Sequence, residues 1–136
     1  MRGAHFVPAL AAALVLGACA VATPGQCPAG SDAAVSEHLY FGTATPDGVV
    51  SDEEWTAFLR DEITPRFPDG LTTWTANGQW RGKDGVIVSE GSHVLQLLHG
   101  ADEPVDTEII AIITAYKSRF RQESVLRVTA PACTSF

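Results

Sequence analysis

The chain has 136 residues, of which 46% are hydrophobic, so it has room for one folded domain and too little for two. Its 9 Lys+Arg against 16 Asp+Glu give a formal net charge of −7. Binding to nucleic acid needs a basic surface that contacts the phosphates, so a DNA or RNA partner is not expected.

Residues 1–18 are predicted to be a secretory signal peptide. One positive charge, Arg2, precedes an apolar run from Phe6 to Ala18. The run is shorter than the roughly 20 residues that a membrane-spanning helix needs. The sequence therefore predicts export from the cytoplasm.

A cysteine follows the apolar run directly. Leu16-Gly17-Ala18-Cys19 resembles the lipobox of bacterial lipoproteins, which implies lipidation of Cys19 as the first mature residue. The protein is then expected in the cell envelope, attached to the membrane through its lipid. If the cell has two membranes, Ala20 after the cysteine resembles the pattern for an outer-membrane lipoprotein facing the periplasm.

The mature chain would have a net charge of −8, because removal of Arg2 leaves 8 basic against 16 acidic residues. An anionic membrane surface repels such a chain, so the lipid must supply the attachment. Residues 19–36 contain prolines, glycines and small residues, and we predict a lipid-anchored flexible tether there. Residues 37–136 are predicted to form the single domain.

Two cysteines remain once Cys19 carries lipid. Cys27 and Cys133 form an even pair in an oxidising compartment, which predicts a disulfide. The alternatives are free thiols or a metal site, and two cysteines without a neighbouring histidine make a poor zinc site. We predict neither a metal nor a cofactor.

Alternation, helical periodicity and turn residues predict six elements in the order β-α-β-β-α-β. The second element has the clearest start, because Ser51 and Glu54 can form a capping box. We expect the third strand to be bent or bulged at Gly91. The predicted elements are a strand at 38–43, a helix from Ser51 that ends before Pro65, strands at 71–81 and 86–98, a helix at 106–120 and a strand at 125–129.

This order predicts an α+β fold, the ferredoxin-like sandwich. Its four-stranded antiparallel sheet has the strand order 4-1-3-2, with both helices on one face. The fourth strand then runs antiparallel beside the first. Cys133 should therefore approach Cys27, in agreement with the cysteine count.

The same topology predicts a polar cluster at one end of the sheet, where two strands end and two begin. Its candidate ligand-binding residues are Tyr40, Gln79, Arg81, Glu90 and Glu123. The alternative is a salt-bridge network that only stabilises the end of the sheet. Catalytic residues are unknown, because the chain has no nucleophile elbow, zinc-protease motif or phosphate-binding loop.

The sheet face opposite the helices is a second candidate. Trp74 and Trp80 share one face with Ile87 and Leu95 in the simplest hairpin register. We favour the core for both tryptophans, whereas on the uncovered face they would indicate an interface, for example that of a homodimer. A bulge at Gly91 would leave this choice open.

Five sequence segments resemble one family of bacterial proteins, domain of unknown function 3574, whose members are often lipoproteins. The segments are Tyr40–Gly42, Asp52–Trp55, Thr64–Leu71, Gly78–Arg81 and Tyr116–Arg127. The resemblance covers residues 37–136 and implies an exported single domain without implying an activity. Its motifs fall largely in the predicted polar cluster, which favours a site there.

We therefore expect a lipid-anchored envelope protein that binds a small molecule or another envelope protein without catalysing a reaction. The alternative is a small enzyme that uses the bare sheet face, or a pocket in a dimeric α+β barrel. A third interpretation is a structural interaction protein with no pocket.

Overall fold

The structure is a computed structural model that describes residues 27–82 and 84–136. The predicted signal peptide, the lipidation site at Cys19 and residues 19–26 of the predicted tether lie outside the described residues. Within the described ranges, no helix combines the length and the apolar character needed to span a membrane.

The long elements follow the predicted order, and a short hairpin lies between the first strand and the first helix. The elements are β1 (Asp32–Gly42), β2 (Ala44–Thr45), β3 (Gly48–Val49), α1 (Asp52–Phe58), β4 (Thr72–Arg81), β5 (Ile87–Gly100), α2 (Asp106–Phe120) and β6 (Leu126–Thr134). Because β1 begins at Asp32, residues 32–36 belong to the sheet and not to the tether to which the sequence assigned them.

The domain is a mixed α+β fold with a four-stranded antiparallel sheet in the order β4-β5-β1-β6. The strands β2 and β3 form a separate two-stranded sheet that the sequence did not predict. The four predicted strands correspond to β1, β4, β5 and β6.

The bulge predicted at Gly91 is absent, because β4 and β5 pair without interruption and Gly91 lies opposite Asn77. Gly91 instead allows a close approach of the chain that follows β1. Its carbonyl accepts hydrogen bonds from the backbone N–H of Thr43 at 2.9 Å and from the hydroxyl of Thr43 at 3.0 Å. A Cβ at Gly91 would lie 3.0 Å from Oγ1 of Thr43. The glycine therefore marks close packing of backbone and not a bulge.

The predicted capping box begins α1. Ser51 Oγ accepts a hydrogen bond from the N–H of Glu54 at 3.2 Å, and Glu54 Oε2 accepts from the N–H of Ser51 at 2.9 Å. Beyond Phe58 the helix widens into one π-type turn, Leu59–Ile63. This turn places both Phe58 and Ile63 fully inside the core.

Both helices cover the same face of the sheet. The buried core combines residues of β1 and β5 with residues of the helices: Leu39, Phe41, Leu95, Leu97, Trp55, Phe58, Ile63, Ile109, Ile112, Tyr116 and Phe120. We call this face of the sheet the helix face and its opposite the open face.

The two sheet tryptophans lie on the open face, so the prediction that they belong to the core is wrong. Trp74 pairs with Val94 and Trp80 with Val88, and the side chains are 41% and 48% exposed. Leu95 pairs with Thr73 and therefore points to the other side of the sheet. Without a bulge, Leu95 and the tryptophans cannot share a face.

The predicted disulfide is confirmed. Cys27 and Cys133 are bonded, with their Cα atoms 5.5 Å apart. Cys133 pairs with Ala33 near the start of β1, so the disulfide lies at the end of the sheet opposite Gly42.

Candidate functional site

A cleft of about 500 Å³ lies where β1 and β4 end and β5 and β6 begin. Three parts of the chain enclose it: the open face of the sheet, the hairpin β2–β3 and the connection from α2 to β6. Its lining residues are Tyr40, Gly42, Ala44, Thr45, Pro46, Trp80, Val88, Glu90, Ser92, Arg121, Gln122, Glu123, Ser124 and Leu126.

Three of the five predicted ligand-binding residues, Tyr40, Glu90 and Glu123, line this cleft. Gln79 and Arg81 do not. Register places Gln79 on the side of the sheet away from the cleft, where its Nε2 donates a hydrogen bond to Ser89 Oγ at 3.2 Å. Arg81 is exposed and pairs with Ile87 beside the hairpin turn.

Several cleft residues were not among the predicted ligand-binding residues. They are Trp80, Val88, Ser92, Leu126 and the hairpin β2–β3. Trp80, Val88 and Ser92 could have been found from the sequence by assuming a hairpin without a bulge, in which side chains alternate strictly between the two faces on either side of Glu90. In that register Val88 and Ser92 share the face of Glu90, and Trp80 pairs with Val88.

The carboxylate of Glu90 is held at a defined place in the cleft. Its Oε1 accepts a hydrogen bond from the backbone N–H of Ala44 at 2.9 Å. The side chain occupies the space above Gly42, where a Cβ would come within 2.5 Å of Oε1. A glycine at position 42 is therefore what makes room for this carboxylate.

Contacts from the two residues that follow α2 fix the hairpin that forms one side of the cleft. The side-chain amide of Gln122 donates a hydrogen bond to the carbonyl of Ala44, and Arg121 forms an ion pair with Asp47. Arg121 ends the helix with φ 53°, a left-handed conformation that turns the chain towards β6.

A buried tyrosine of the core holds the end of β1 that borders the cleft. The hydroxyl of Tyr116 donates a hydrogen bond to the carbonyl of Gly42 at 2.9 Å. Burial raises the pKa of Tyr116, with nearby Glu90 and Glu54 acting in the same direction, so the hydroxyl stays protonated and remains a donor. The end of β1 is thus fixed from the core side and from the cleft side.

The chemistry of the cleft suits a small organic cation. Tyr40 and Trp80 provide aromatic faces, and Glu90 and Glu123 provide two carboxylates. Aromatic rings and carboxylates both attract positive charge. In the described part of the chain, no three His, Cys, Asp or Glu side chains are grouped closely enough to hold a metal ion.

A second polar cluster lies under the helices and is structural. Glu37, only 1% exposed, accepts hydrogen bonds from Arg127 at 2.8 and 2.6 Å and from Thr129 at 2.8 Å. Arg127 also contacts Asp106 at 2.7 Å. The hydrogen bonds from Arg127 hold the pKa of Glu37 below its usual value despite burial. These contacts occupy the carboxylate, and Glu37 does not line the cleft.

The fold and the cleft together define a small α+β domain with a cleft at its strand ends, lined by aromatic rings and carboxylates. The chain belongs to the family Protein of unknown function (DUF3574), whose model matches residues 36–136. The family predicted from the sequence motifs is therefore confirmed, while the lipoprotein character remains a prediction. No curated protein matches the chain.

The chain shares its fold with a solved phage enzyme. The phage SAM lyase in complex with S-methyl-5'-thioadenosine matches with a TM-score of 0.55 and 16% identity, over 84% of this chain and 96% of that chain. The same enzyme in its apo state gives a TM-score of 0.49 and 15% identity, over 82% and 94% of the two chains.

This comparison corrects the function expected from the sequence. The prediction of a non-catalytic binding module is contradicted by the finding that a solved structure with the same fold is an enzyme. The alternative drawn from the sequence, a small enzyme that uses the sheet face, is the better supported one.

Proposed function

We propose that this protein is an enzyme that cleaves a small sulfonium compound in the cleft, with S-adenosylmethionine as the first candidate. The observation that carries the proposal is the position of the Glu90 carboxylate, held by Ala44 in a cleft that Trp80 and Tyr40 also line. The fold shared with a phage SAM lyase supports it.

The substrate class follows from charge and shape. A sulfonium sulfur carries a permanent positive charge that one carboxylate and two aromatic rings can stabilise, each ring contributing about 0.5–2 kcal/mol. An adenine ring can stack on the exposed indole of Trp80, as bases do on aromatic side chains. The acidic chain also attracts a cation over distance.

Release of S-methyl-5'-thioadenosine from S-adenosylmethionine breaks the bond between the sulfonium sulfur and the carbon of the amino-acid arm. The sulfur keeps the electron pair and becomes a neutral thioether. The arm balances this loss either by forming a bond to a nucleophile or by losing a proton from the neighbouring carbon. We assign Glu90 the role of positioning the sulfonium group. We assign Glu123 a place beside the amino-acid arm that leaves the sulfur.

The fold and the location belong to the same proposal. We infer a ferredoxin-like sandwich of order 4-1-3-2, supported by the chain order of the long elements and by the sheet order β4-β5-β1-β6.

We also propose that the enzyme works in the cell envelope, anchored by a lipid on Cys19. The disulfide Cys27–Cys133 supports an oxidising compartment.

A binding measurement tests the role of the cleft. S-adenosylmethionine and S-adenosylhomocysteine differ by one methyl group and the positive charge, so their comparison isolates recognition of the sulfonium. Quenching of tryptophan fluorescence, to which Trp80 in the cleft contributes, is followed by stopped flow before turnover and reports binding. Glu90→Gln should weaken S-adenosylmethionine by about tenfold, a change of about 1.4 kcal/mol, and leave S-adenosylhomocysteine within about twofold.

The matched control is Glu53→Gln, because Glu53 is an exposed carboxylate of α1 that does not line the cleft. This variant should bind both compounds like the wild type. Equal weakening of both compounds by Glu90→Gln would show that the carboxylate does not recognise the sulfonium charge.

A further inference from the structure

The cleft opens onto the open face of the sheet, and this face has the character of an interface. We propose that the open face binds a second copy of this chain and that the second copy closes the cleft. The closure of the cleft rests on the proposed function, whereas the pairing of the two copies does not.

Large apolar side chains are exposed in a row on this face. Six of them, on β4, β5 and β6, are between 37% and 59% exposed: Trp74, Trp80, Val88, Leu98, Leu126 and Val128. They share one face because the register pairs Trp74 with Val94, Tyr40 with Val94 and Tyr40 with Leu126. A contiguous apolar surface of this kind marks an interaction site.

The charge of the face selects the partner. Among the paired positions on this face, the only charged residues in the described chain are Asp32 and Glu90, which lie at opposite ends of the sheet. His38 lies near the centre, with its ring 6.0 Å from that of Trp74. The rest of the chain is strongly acidic. Two copies that meet through this sparsely charged face bring little like charge together, whereas a basic partner would find few carboxylates to pair with.

The area of the face suits a homodimer. Four strands spaced about 4.8 Å apart, over about ten residues of 3.3 Å each, present about 600 Å². Two such faces bury about 1,200 Å² in total, which reaches the lower end of stable specific interfaces. Self-complementary pairing of one patch is also the commonest symmetry of oligomers.

The cleft and the open face are continuous. Tyr40, Trp80 and Leu126 line the cleft and belong to the open face. Among residues 27–82 and 84–136 of a single chain, no element covers this side, so bulk water reaches the substrate there. Two sheets packed face to face lie about 10 Å apart, so a second copy would supply the missing side of the cleft. Exclusion of water strengthens the attraction between a carboxylate and a cation.

Sedimentation equilibrium of the full chain, in a density-matched detergent, tests the pairing. At about 50 μM we expect the wild type at twice the mass of one chain. Val128→Asp places a charge at a position 42% exposed on the open face and outside the cleft, and should give a single-chain mass. Ile110→Asp is the control, since Ile110 is 57% exposed on α2, and should leave the wild-type mass unchanged.

Leu98→Asp repeats the test at a second position of the open face if Val128→Asp does not give a wild-type circular dichroism spectrum. A wild type of single-chain mass, or folded variants that keep the double mass, would overturn the pairing. The formation of S-methyl-5'-thioadenosine is measured on the same samples. A dimer without product would contradict the proposed function alone, and an active single chain would contradict this inference alone.

Discussion

Gly42 and Glu90 share one space at the end of the sheet. The carboxylate of Glu90 lies where the side chain of any other residue at position 42 would begin, because a Cβ there would come within 2.5 Å of Oε1. Gly42 thus determines where the charge of the cleft lies. Gly78 lies beside Glu90 on the neighbouring strand, but a Cβ there would be 4.0 Å from the carbonyl of Glu90, an ordinary contact.

Gly42→Ala should therefore reduce the proposed activity without unfolding the domain. The added methyl group displaces the flexible end of Glu90 and breaks its hydrogen bond to Ala44, while the backbone can stay in place. We expect kcat/KM for S-adenosylmethionine to fall at least about tenfold, equal to about 1.4 kcal/mol of transition-state stabilisation. Gly78→Ala is the matched control and should keep wild-type kinetics. Equal activity of the two variants would show that the position of Glu90 is unimportant.

The sequence predicts elements better than it predicts faces. The bounds of α2 are those observed, because its apolar stripe and the charges at its two ends all indicate the same helix. The start of α1 follows from local hydrogen bonding by Ser51 and Glu54, which needs no distant contact. Local signals of this kind are present in the sequence itself.

The faces of β4 and β5 depend on register, which local signals do not determine. A glycine in a strand suggests a bulge, but Gly91 is present because Thr43 approaches it closely. A shift of one residue moves every side chain to the other face. For this reason the sequence analysis assigned Trp74 to the core, although its side chain lies on the open face. It also grouped Gln79 with Glu90, although these two side chains lie on opposite faces of the sheet.

Arg127→Ala should strongly destabilise the domain. It removes both hydrogen bonds from the guanidinium to Glu37, and the carboxylate, only 1% exposed, keeps the hydrogen bond from Thr129 but loses its Arg127 cation. Loss of one partner of such a pair costs about 3–5 kcal/mol. Urea unfolding at pH 7 measures the change. Arg60→Ala, which breaks an exposed pair with Asp61, is the control and should change stability little. A small loss for Arg127→Ala would mean that Glu37 finds another partner or becomes protonated at little cost.

Stability should fall in acid because of Glu37. Its pKa in the folded state is lowered from the ordinary 4.5, chiefly by the hydrogen bond from Arg127. The pair therefore stabilises the fold at pH values above the ordinary value, and this contribution is lost as the pH falls through the lowered pKa. The free energy of unfolding should decline more steeply for the wild type than for Glu37→Gln between about pH 5 and about pH 3. Parallel pH profiles of the two proteins would contradict this assignment.

Reduction of the disulfide should destabilise the domain and leave the cleft intact. The bond between Cys27 and Cys133 closes a loop with a sequence separation of 106. In the chain-entropy model such a loop is worth roughly 4–5 kcal/mol. Urea unfolding with and without reductant measures the loss, and Cys133→Ser should reproduce it. Because the bond lies at the end of the sheet opposite Gly42, the reduced protein should keep its ligand binding while it remains folded. An unfolding midpoint that does not change with reductant would show that the bond contributes nothing.

The most direct test of the account is the formation of S-methyl-5'-thioadenosine from S-adenosylmethionine by the purified full chain, followed by liquid chromatography and mass spectrometry. The account predicts product release by the wild type and by Glu53→Gln, and a loss of at least about a hundredfold in kcat for Glu90→Gln with an unchanged circular dichroism spectrum. Product formed equally well by Glu90→Gln would contradict the assignment of the cleft. No product from the folded wild type would contradict the proposal that this protein cleaves S-adenosylmethionine.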